Sequence, residues 1–340
     1  MQEKINTILM DALSIDKTKL NQNLKQIINE LQNAFKNSKE LILEANKIDK
    51  KNSNGFIIDL TIIDNIFENI KKEDLIYGSV TLSQKDNDKN LIYGKQIMDS
   101  GIVIVINDGN PYAIIEIILR NILAGNTTII TNNGYMYGTN QLIIQIVEGV
   151  LEQFNISKKL IQIYLTENYD DVLSNYANID LVICIGDHNL QRLIAKKSNN
   201  RTIYSGYENF DLYIEDTTHL EFLNKIVNTG LNIQVYVNKN TEFDNNNSIL
   251  VDDIDEAIAQ INYNGNRYSS SIFTNSKENA SKFVREVKTK IVTINTSPTI
   301  ERLMDIKQAD LVNEKTIVYP MNFKFNGGNN NIILNDTSII

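Results

Sequence analysis

Apolar positions along the chain recur with two periods, and the change between them divides the sequence. Over residues 3–50 apolar side chains recur every three or four positions, which is typical of amphipathic helices. The same spacing predicts a helical pair over 57–78, followed by a polar loop at 79–90. From residue 102 onward, short runs of β-branched residues alternate with helical stretches. This alternation predicts strands joined by helical crossovers, which is a doubly wound α/β sheet.

The clearest part of this pattern lies in the middle of the chain. Ile102–Ile106 is a continuous β-branched run, as expected for a strand buried on both faces. A helix follows as far as Leu123, with Pro111 near its first turn, where proline is tolerated. Thr127–Thr131 predicts the next strand, and a helix over 139–154 is predicted to begin at its own N-cap threonine. We therefore expect a strand–turn–helix unit in this region.

A second strand–helix alternation begins after residue 228, and it suggests a division into domains. We expect a Rossmann-like, cofactor-type domain over 1–228, with 88–101 contributing to a β-arm. A smaller, truncated α/β domain of the catalytic type is predicted over 229–316. The segment 317–340 is expected to form a C-terminal β-arm or oligomerisation tail around a hairpin turn.

Composition narrows the function classes. The chain has 340 residues, 42% of them hydrophobic, and a net charge of −9 without a basic stripe, so nucleic acid is not expected as a partner. No apolar run has membrane-spanning length and no signal peptide is recognised, so a cytoplasmic protein is expected. Cys184 is the only cysteine, and His188 and His219 are the only histidines. We therefore expect no metal site and no internal disulfide.

An ordered set of sequence words resembles the aldehyde dehydrogenase superfamily, and within it gamma-glutamyl phosphate reductase. The words are LILEANKIDKKN (41–52), ILAGNTTIITNN (122–133), RTIYSGYENFDLYIEDTTHLE (201–221), DDIDEAIAQIN (252–262) and SSSIFTNSKENASKFVREVKTKIVTINTS (269–297). The resemblance implies a Rossmann-like cofactor domain, a catalytic domain and a small β-arm used for oligomerisation.

The resemblance also implies a chemistry, in which a cysteine thiolate beside a nicotinamide attacks a carbonyl or acyl phosphate. Aligned on the family, Val237 stands at about the nucleophile position, and a neighbouring register offers Tyr236. Tyr112 stands where the family has its oxyanion-binding asparagine, and Asn110 lies before the proline instead of after it. Cys184, in the apolar strand LVICI, is interpreted as a buried small hydrophobe. No catalytic residue is therefore predicted.

Two turns are candidates for vestigial cofactor contacts. Asn132, Asn133 and Gly134 follow one strand, and Gly134 stands at about the position of the family's cofactor-facing lysine. Gly186 and Asp187 follow another strand, in place of the family's glycine-rich turn. Local structure is the favoured interpretation of each turn, with Asp187 as a helix N-cap. We expect no bound cofactor, although NAD(P) stays possible if the cleft is open.

Three functions remain open at this point. The joint loss of the family's positions favours a pseudoenzyme that acts through binding or assembly, as a homo-oligomer or together with an intact homologue. The first alternative is an NAD(P)-dependent oxidoreductase, like a glutamate-5-semialdehyde dehydrogenase, with a rearranged site. The second is a non-catalytic sensor of a nucleotide or an acyl phosphate.

Overall fold

A computed structural model describes residues 2–52, 58–107, 109–186, 188–205, 210–218, 220–227, 233–243, 248–264, 269–298 and 306–320. The chain divides into two compact units. The first unit comprises Met1–Cys184, Lys197–Ile203 and Ile306–Ile340, and the second comprises Ile185–Lys196 and Tyr204–Asp305. The second unit is thus inserted into the first in the order of the chain.

The α-helices are α1 (Gln2–Leu13), α2 (Thr18–Asn37), α3 (Lys39–Asn52), α4 (Leu60–Ile70), α5 (Pro111–Leu123), α6 (Tyr137–Gln153), α7 (Asp170–Leu173), α8 (His188–Lys197), α9 (Leu220–Val227), α10 (Ile254–Asn264) and α11 (Lys277–Glu286). Short 3₁₀ turns occupy Lys158–Leu160, Tyr176–Asn178 and Gln308–Leu311.

The strands are β1 (Val80–Asp86), β2 (Leu91–Asp99), β3 (Ile102–Asn107), β4 (Thr127–Asn132), β5 (Ile161–Leu165), β6 (Leu181–Ile185), β7 (Thr202–Ser205), β8 (Phe210–Ile214), β9 (Ile233–Asn238), β10 (Ser248–Val251), β11 (Ser269–Phe273), β12 (Ile291–Ile294) and β13 (Val312–Pro320).

The first five-stranded sheet has the order β5-β4-β3-β6-β7, and β3, β4 and β5 run parallel. Strand β3 is central, and every residue of β3 and of β4 is buried. This burial explains their continuous β-branched sequences, since helices cover both faces of such sheets. The predicted strands at 102–106 and 127–131 are confirmed, and so is the α/β class.

Helix α5 is buried along its whole length, although it carries two charged residues. Arg120 hydrogen bonds Glu116 with its Nε and Nη2 atoms at 3.1 and 2.9 Å, and it also contacts Glu73. Glu116 has no exposed surface, and Arg120 is 4% exposed. The two charges lie one helical turn apart, so each supplies the partner that makes the burial of the other tolerable.

Asn126, from the ILAGNTT word, joins the start of β4 to three other segments. Its Oδ1 accepts a hydrogen bond from Ser100 N at 2.8 Å, and its Nδ2 donates to Asn121 Oδ1 and to Leu311 O, both at 2.9 Å. Asn126 is fully buried. This asparagine therefore fixes where the returning chain near residue 311 rejoins the first unit.

The third sheet is antiparallel and has the order β1-β2-β13. Its middle strand, β2, pairs with β1 by a hairpin and with β13 from the far end of the chain, where Val312 lies opposite Asp99. The prediction of a loop at 79–90 was wrong, because β1 occupies Val80–Asp86. The prediction missed this strand because its sequence is polar. A strand at the edge of a sheet is defined by backbone pairing and not by apolar burial.

The second five-stranded sheet, β10-β9-β8-β11-β12, is parallel throughout. Its strands alternate their side chains between two apolar layers. Tyr213 and Tyr236 point into the layer that includes residues of α10 and α11. Leu212 and Val237 point into the opposite layer, which includes residues of α9. The sheet is thus covered on both faces, as expected for a doubly wound fold.

The observed division differs from the predicted domain limits. The limit at 228 is placed too late, because β8 pairs with β9 and β11 inside the second sheet. The limit at 317 is also too late, since β13 begins at Val312. The predicted hairpin turn around Asn326–Asn329 lies outside the described residues.

Three helix predictions also change. The range 57–78 holds a single α-helix among its described residues, because the polar run Lys71–Asp74 supplies no apolar side chain to continue α4. Helix α6 begins at Tyr137, two residues before the predicted start. Its N-cap is therefore Met136 and not the predicted threonine.

Candidate functional site

The carboxyl ends of β3 and β4 lie side by side, and this edge carries the candidate site of the first unit. Asn107 ends β3 and Asn132 ends β4, and both side chains are fully buried. Asn107 Oδ1 accepts a hydrogen bond from the amide of Gly109. Asn132 Oδ1 accepts one from the Gly134 amide at 2.6 Å. The two asparagines thus shape the turns that leave the strands.

The turn after β4 exposes Gly134 and carries no positive charge. Asn133 Oδ1 accepts a hydrogen bond from Tyr135 N at 3.0 Å, and Gly134 has φ of +95°. No atom lies within 4 Å of the place where a Cβ on Gly134 would stand. The whole stretch Asn132–Thr139 contains no lysine or arginine. The predicted contacts Asn132, Asn133 and Gly134 therefore lie in one turn, which hydrogen bonds between Asn132 and Gly134 and between both asparagines and Tyr135 hold together.

A carboxylate from another helix lies at the start of α6. Asp49, in α3, accepts hydrogen bonds from the amides of Gly138 and Thr139 at 3.2 and 2.7 Å. The same carboxylate accepts the Thr139 hydroxyl at 2.7 Å. These amides are among those that a helix leaves without intrahelical partners. Asp49 therefore takes the position of an anion at this helix N-terminus.

The side chains at the predicted oxyanion position accept hydrogen bonds from backbone amides. Asn110 is the N-cap of α5, and its Oδ1 accepts the amide of Tyr112 at 3.0 Å. The Tyr112 hydroxyl accepts the amide of Asp59 at 2.5 Å, and the tyrosine is 8% exposed. Tyr112 therefore fills the position where the family resemblance expects an asparagine, and it packs as a core residue.

Two polar atoms near the Gly109 turn have no hydrogen-bond partner among the described residues. They are Asn107 Nδ2 and Asn140 Oδ1, and both asparagines are fully buried. Asn140 Nδ2 donates to Gly109 O at 2.9 Å. A donor and an acceptor left over at a buried turn can be satisfied by an ordered water molecule.

The predicted nucleophile position lies inside the second sheet. Val237 belongs to β9, pairs with Ile214 of β8 and Leu250 of β10, and has no exposed surface. Tyr236, the neighbouring register, is equally buried, and burial raises the pKa of its hydroxyl to about 12. Thr241 follows β9 in the sequence, and its hydroxyl is engaged as a donor to Glu215 O at 2.6 Å.

Cys184 lies in the middle of the first sheet. It is the fourth residue of β6, a strand whose five residues are all buried. Its side chain has no exposed surface. This placement agrees with the interpretation of Cys184 as a small core residue.

The second predicted cofactor turn belongs to the second unit. The Gly186 amide donates to Ser205 O at 3.1 Å, and Gly186 O accepts from Gln191 Nε2 at 3.0 Å. Both backbone groups of this glycine are therefore engaged by local structure. Asp187 lies outside the described residues.

Sequence reasoning missed a buried carboxyl group in β8. Asp211 is 1% exposed, and it accepts a long hydrogen bond of 3.4 Å from Ser270 Oγ. Burial raises the pKa of Asp211 to about 7, although the Ser270 bond opposes the shift. The signal was an acidic residue inside the apolar strand FDLYI.

The described residues contain neither a metal-binding cluster nor a membrane-spanning helix. No group of three or more histidine, cysteine, aspartate or glutamate side chains in this part of the chain could hold a metal ion. Among the described helices, none is both long and apolar enough to cross a bilayer.

The sequence is similar to curated proteins named gamma-glutamyl phosphate reductase. The protein from Petrotoga mobilis is 23% identical over 210 residues, which covers 60% of this chain and 49% of that relative. The protein from Dictyoglomus thermophilum is 21% identical over 343 residues, which covers 84% of this chain and 82% of that relative. The match therefore spans about half of the first relative and most of the second. No family model matches the chain.

Solved structures of aldehyde dehydrogenases and of a gamma-glutamyl phosphate reductase have a similar fold. Gamma-glutamyl phosphate reductase from Thermotoga maritima superposes with a TM-score of 0.59 at 16% identity, covering 95% of this chain and 98% of that one. Glyceraldehyde-3-phosphate dehydrogenase GapN from Methanocaldococcus jannaschii, complexed with NADP, gives 0.71 at 13% identity and 94% coverage of both chains. An acetylating aldehyde dehydrogenase from Geobacillus thermoglucosidasius gives 0.72 at 12% identity, covering 94% of this chain and 96% of that one.

The chain therefore has the aldehyde dehydrogenase fold, and its sequence is similar to that of gamma-glutamyl phosphate reductases. The resemblance that its sequence words predicted is confirmed.

Proposed function

We propose that this protein is a non-catalytic relative of the gamma-glutamyl phosphate reductases, which acts through binding or assembly. The observation that carries the proposal is the place of its one cysteine. Covalent catalysis of the kind implied by the family needs a thiolate that a substrate carbon can approach. Cys184 is the only cysteine of the chain, and it lies fully buried within β6.

The other inherited positions support the same proposal. Tyr112 is a core residue whose hydroxyl bonds the backbone at Asp59, and Val237 is a core residue of β9. The turn at Gly134 offers backbone groups without a cation. Each position thus has a role in the structure, so the fold does not depend on the family's chemistry.

The antiparallel sheet is the surface that we propose for assembly, with a second copy of this chain as the partner. Most residues of β13 are solvent-exposed, and Val318 is 47% exposed. Among the strands that the structure describes, β13 lies at the edge of its sheet, and strand edges favour pairing with another chain. The expected result is a dimer or larger species in light scattering, which Val318→Glu weakens. Leu250→Glu, at another exposed edge residue, is the control that leaves the mass unchanged.

An active oxidoreductase with a rearranged site is the second candidate. The similarity to named reductases over most of their length favours it. The third candidate, a sensor of a nucleotide or an acyl phosphate, would bind without turnover. Titration with a nucleotide distinguishes the sensor from the assembly protein, and a turnover assay distinguishes the enzyme from both.

The test combines turnover with cysteine accessibility. Protein made in a host without its own reductase is incubated with glutamate semialdehyde, phosphate and NAD⁺ or NADP⁺. We expect no nicotinamide reduction above the rate without protein. Iodoacetamide should leave Cys184 unlabelled in the native protein and label it after denaturation, as measured by intact mass.

Saturable turnover that co-purifies with the protein would refute the proposal. The turnover of the variant Cys184→Ala would then show whether the reaction uses the thiol. Loss of that turnover would show that β6 opens to expose the thiol, whereas unchanged turnover would show a mechanism without cysteine.

A further inference from the structure

Helix α6 starts without a side-chain cap of its own. It has 17 residues, and its N-cap Met136 lies in the left-handed region with φ of +51° and makes no capping hydrogen bond. The amides of Gly138 and Thr139 instead bond the two oxygens of Asp49. The cap is therefore delivered by α3, from a residue about ninety positions earlier in the chain.

Other aspartates of this chain make the same bonds to a threonine locally, and Asp59 does so as the N-cap of α4. Asp16 accepts both the amide and the hydroxyl of Thr18, at 2.9 and 2.7 Å. Asp59 bonds Thr61 in the same way, at 2.9 and 2.6 Å. In both cases the partners are two residues apart, so the local turn brings them together. Asp49 makes the same bonds to Thr139, but only the packing of α3 near α6 can place it there.

The position that Asp49 takes is one that a phosphate group needs. A phosphate at a helix N-terminus is held by the backbone amides of the first turn and by the helix dipole. Here two of those amides already hold a carboxylate. A methyl group on Gly138 would stand 3.0 Å from Asp49 Oδ1, which shows how little space is left. The carboxylate charge would also repel a phosphate, and Asn132–Thr139 contains no cation to offset it.

The phosphates of NADP, which is bound in the Methanocaldococcus jannaschii structure, therefore do not fit the turn between β4 and α6. We propose that Asp49 acts as a built-in anion that excludes phosphate groups from this turn. The proposal is independent of the catalytic question, because it holds whether or not the chain turns over a substrate. It also restricts the ligands of this turn to groups that are neutral or positively charged.

The test uses the full chain and inorganic phosphate as the probe. Amide resonances of Gly138 and Thr139 are followed during titration of the wild-type protein, Asp49→Ala and the control Asp16→Asn. We expect no saturable shift at these amides in the wild type or the control. Asp49→Ala should show a saturable shift, with at least a tenfold gain in phosphate affinity over the wild-type limit. Titration with NADP⁺ should follow the same order.

Two results would overturn the proposal. One is a saturable phosphate shift at Gly138 and Thr139 in the wild type. The other is a folded Asp49→Ala protein that binds phosphate no better than the wild type. Asp49→Asn removes the charge and keeps a capping oxygen, so it serves if the alanine variant does not fold. Neither result bears on turnover, so failure here is distinct from failure of the proposed function.

Discussion

The two five-stranded sheets differ in where they hold their polar side chains. In the first sheet the asparagines lie at the carboxyl ends of β3 and β4, where they hydrogen bond the turns that follow. In the second sheet Asp211 lies near the start of β8, buried, with one long hydrogen bond among the described residues. The first arrangement fixes chain geometry, whereas the second places an ionisable group at an energetic cost. A position aligned with the family and a buried ionisable side chain are therefore two separate kinds of evidence for a site.

The largest expected effect comes from breaking the charged pair inside the first unit. Arg120→Met leaves the fully buried Glu116 carboxylate without its partner, so we expect a loss of about 3–5 kcal/mol in the free energy of unfolding. Urea denaturation measures this loss. Lys197→Met removes an exposed pair with Asp170 and should cost less than about 1 kcal/mol. Equal effects of the two substitutions would contradict the description of α5 as a buried helix.

The second unit should instead respond to pH through Asp211. Its pKa is about 7 when folded, against 3.8 for an ordinary aspartate, so the unfolded chain ionises first as pH rises. The stability that protonated Asp211 contributes should therefore be fully present below about pH 4 and be lost as pH rises toward 7, by at most about 1.4 kcal/mol per pH unit. Among the described residues, Ser270 donates to this carboxyl and the Tyr236 hydroxyl is close enough for its pKa to be raised by Asp211.

Hydrogen exchange of peptides from β8 and β11, followed across this pH range, measures the effect. Asp211→Asn should remove most of the slope and raise stability at pH 7, while peptides from β3 and β4 serve as the internal control. An unchanged slope in the variant would show that another group titrates.

Substitution of two glycines in the first unit distinguishes backbone strain from steric crowding. Both Gly109 and Gly134 have positive φ, at +103° and +95°. A Cβ on Gly109 would lie 2.7 Å from Tyr135 O, whereas Gly134 faces open space. We expect Gly109→Ala to cost about 2–3 kcal/mol and Gly134→Ala about 1 kcal/mol, measured as shifts in the denaturation midpoint. The reverse order would show that the turn after β3 is looser than described.

The smallest expected effect compares one N-cap from each unit. Asn110 caps α5 and Ser276 caps α11, where its hydroxyl accepts Asn279 N at 3.2 Å. Alanine at either position should cost about 1 kcal/mol, because one amide of the first turn loses its acceptor. Thermal denaturation of both variants checks this. A much larger loss at Asn110 would reveal a further role at the carboxyl end of β3.

Hydrophobic spacing predicted the buried elements of the fold well. The runs that became β3, β4 and α5 are dense in apolar residues because helices or strands cover them on every side. β1 was missed because a polar edge strand has no such run. The limit at 228 was misplaced because β8 continues the same alternation of strands and helices, and local spacing does not tell which sheet a strand joins.

The candidate site was less predictable from sequence. The words around Asn132 and Gly134 identified a turn that the structure contains. Val237 was assigned by alignment alone, and its burial in β9 depends on the pairing of three strands. The bond between Asp49 and Thr139 joins two helices that no local pattern links. Long-range contacts of this kind are set by packing, so they become visible only in three dimensions.

The insertion of the second unit also orders events during synthesis of the chain. Strand β2 obtains its neighbour β13 only after the ribosome has made residues 312–320. Asn126 likewise waits for the carbonyl of Leu311. The amino-terminal half therefore leaves the ribosome with an unfinished hairpin, and the inserted unit is complete before that hairpin acquires its third strand. Pairs such as Val312 with Asp99 are far apart in the sequence, and long-range pairing is slow to form, so we expect docking of β13 to be the slow step of maturation.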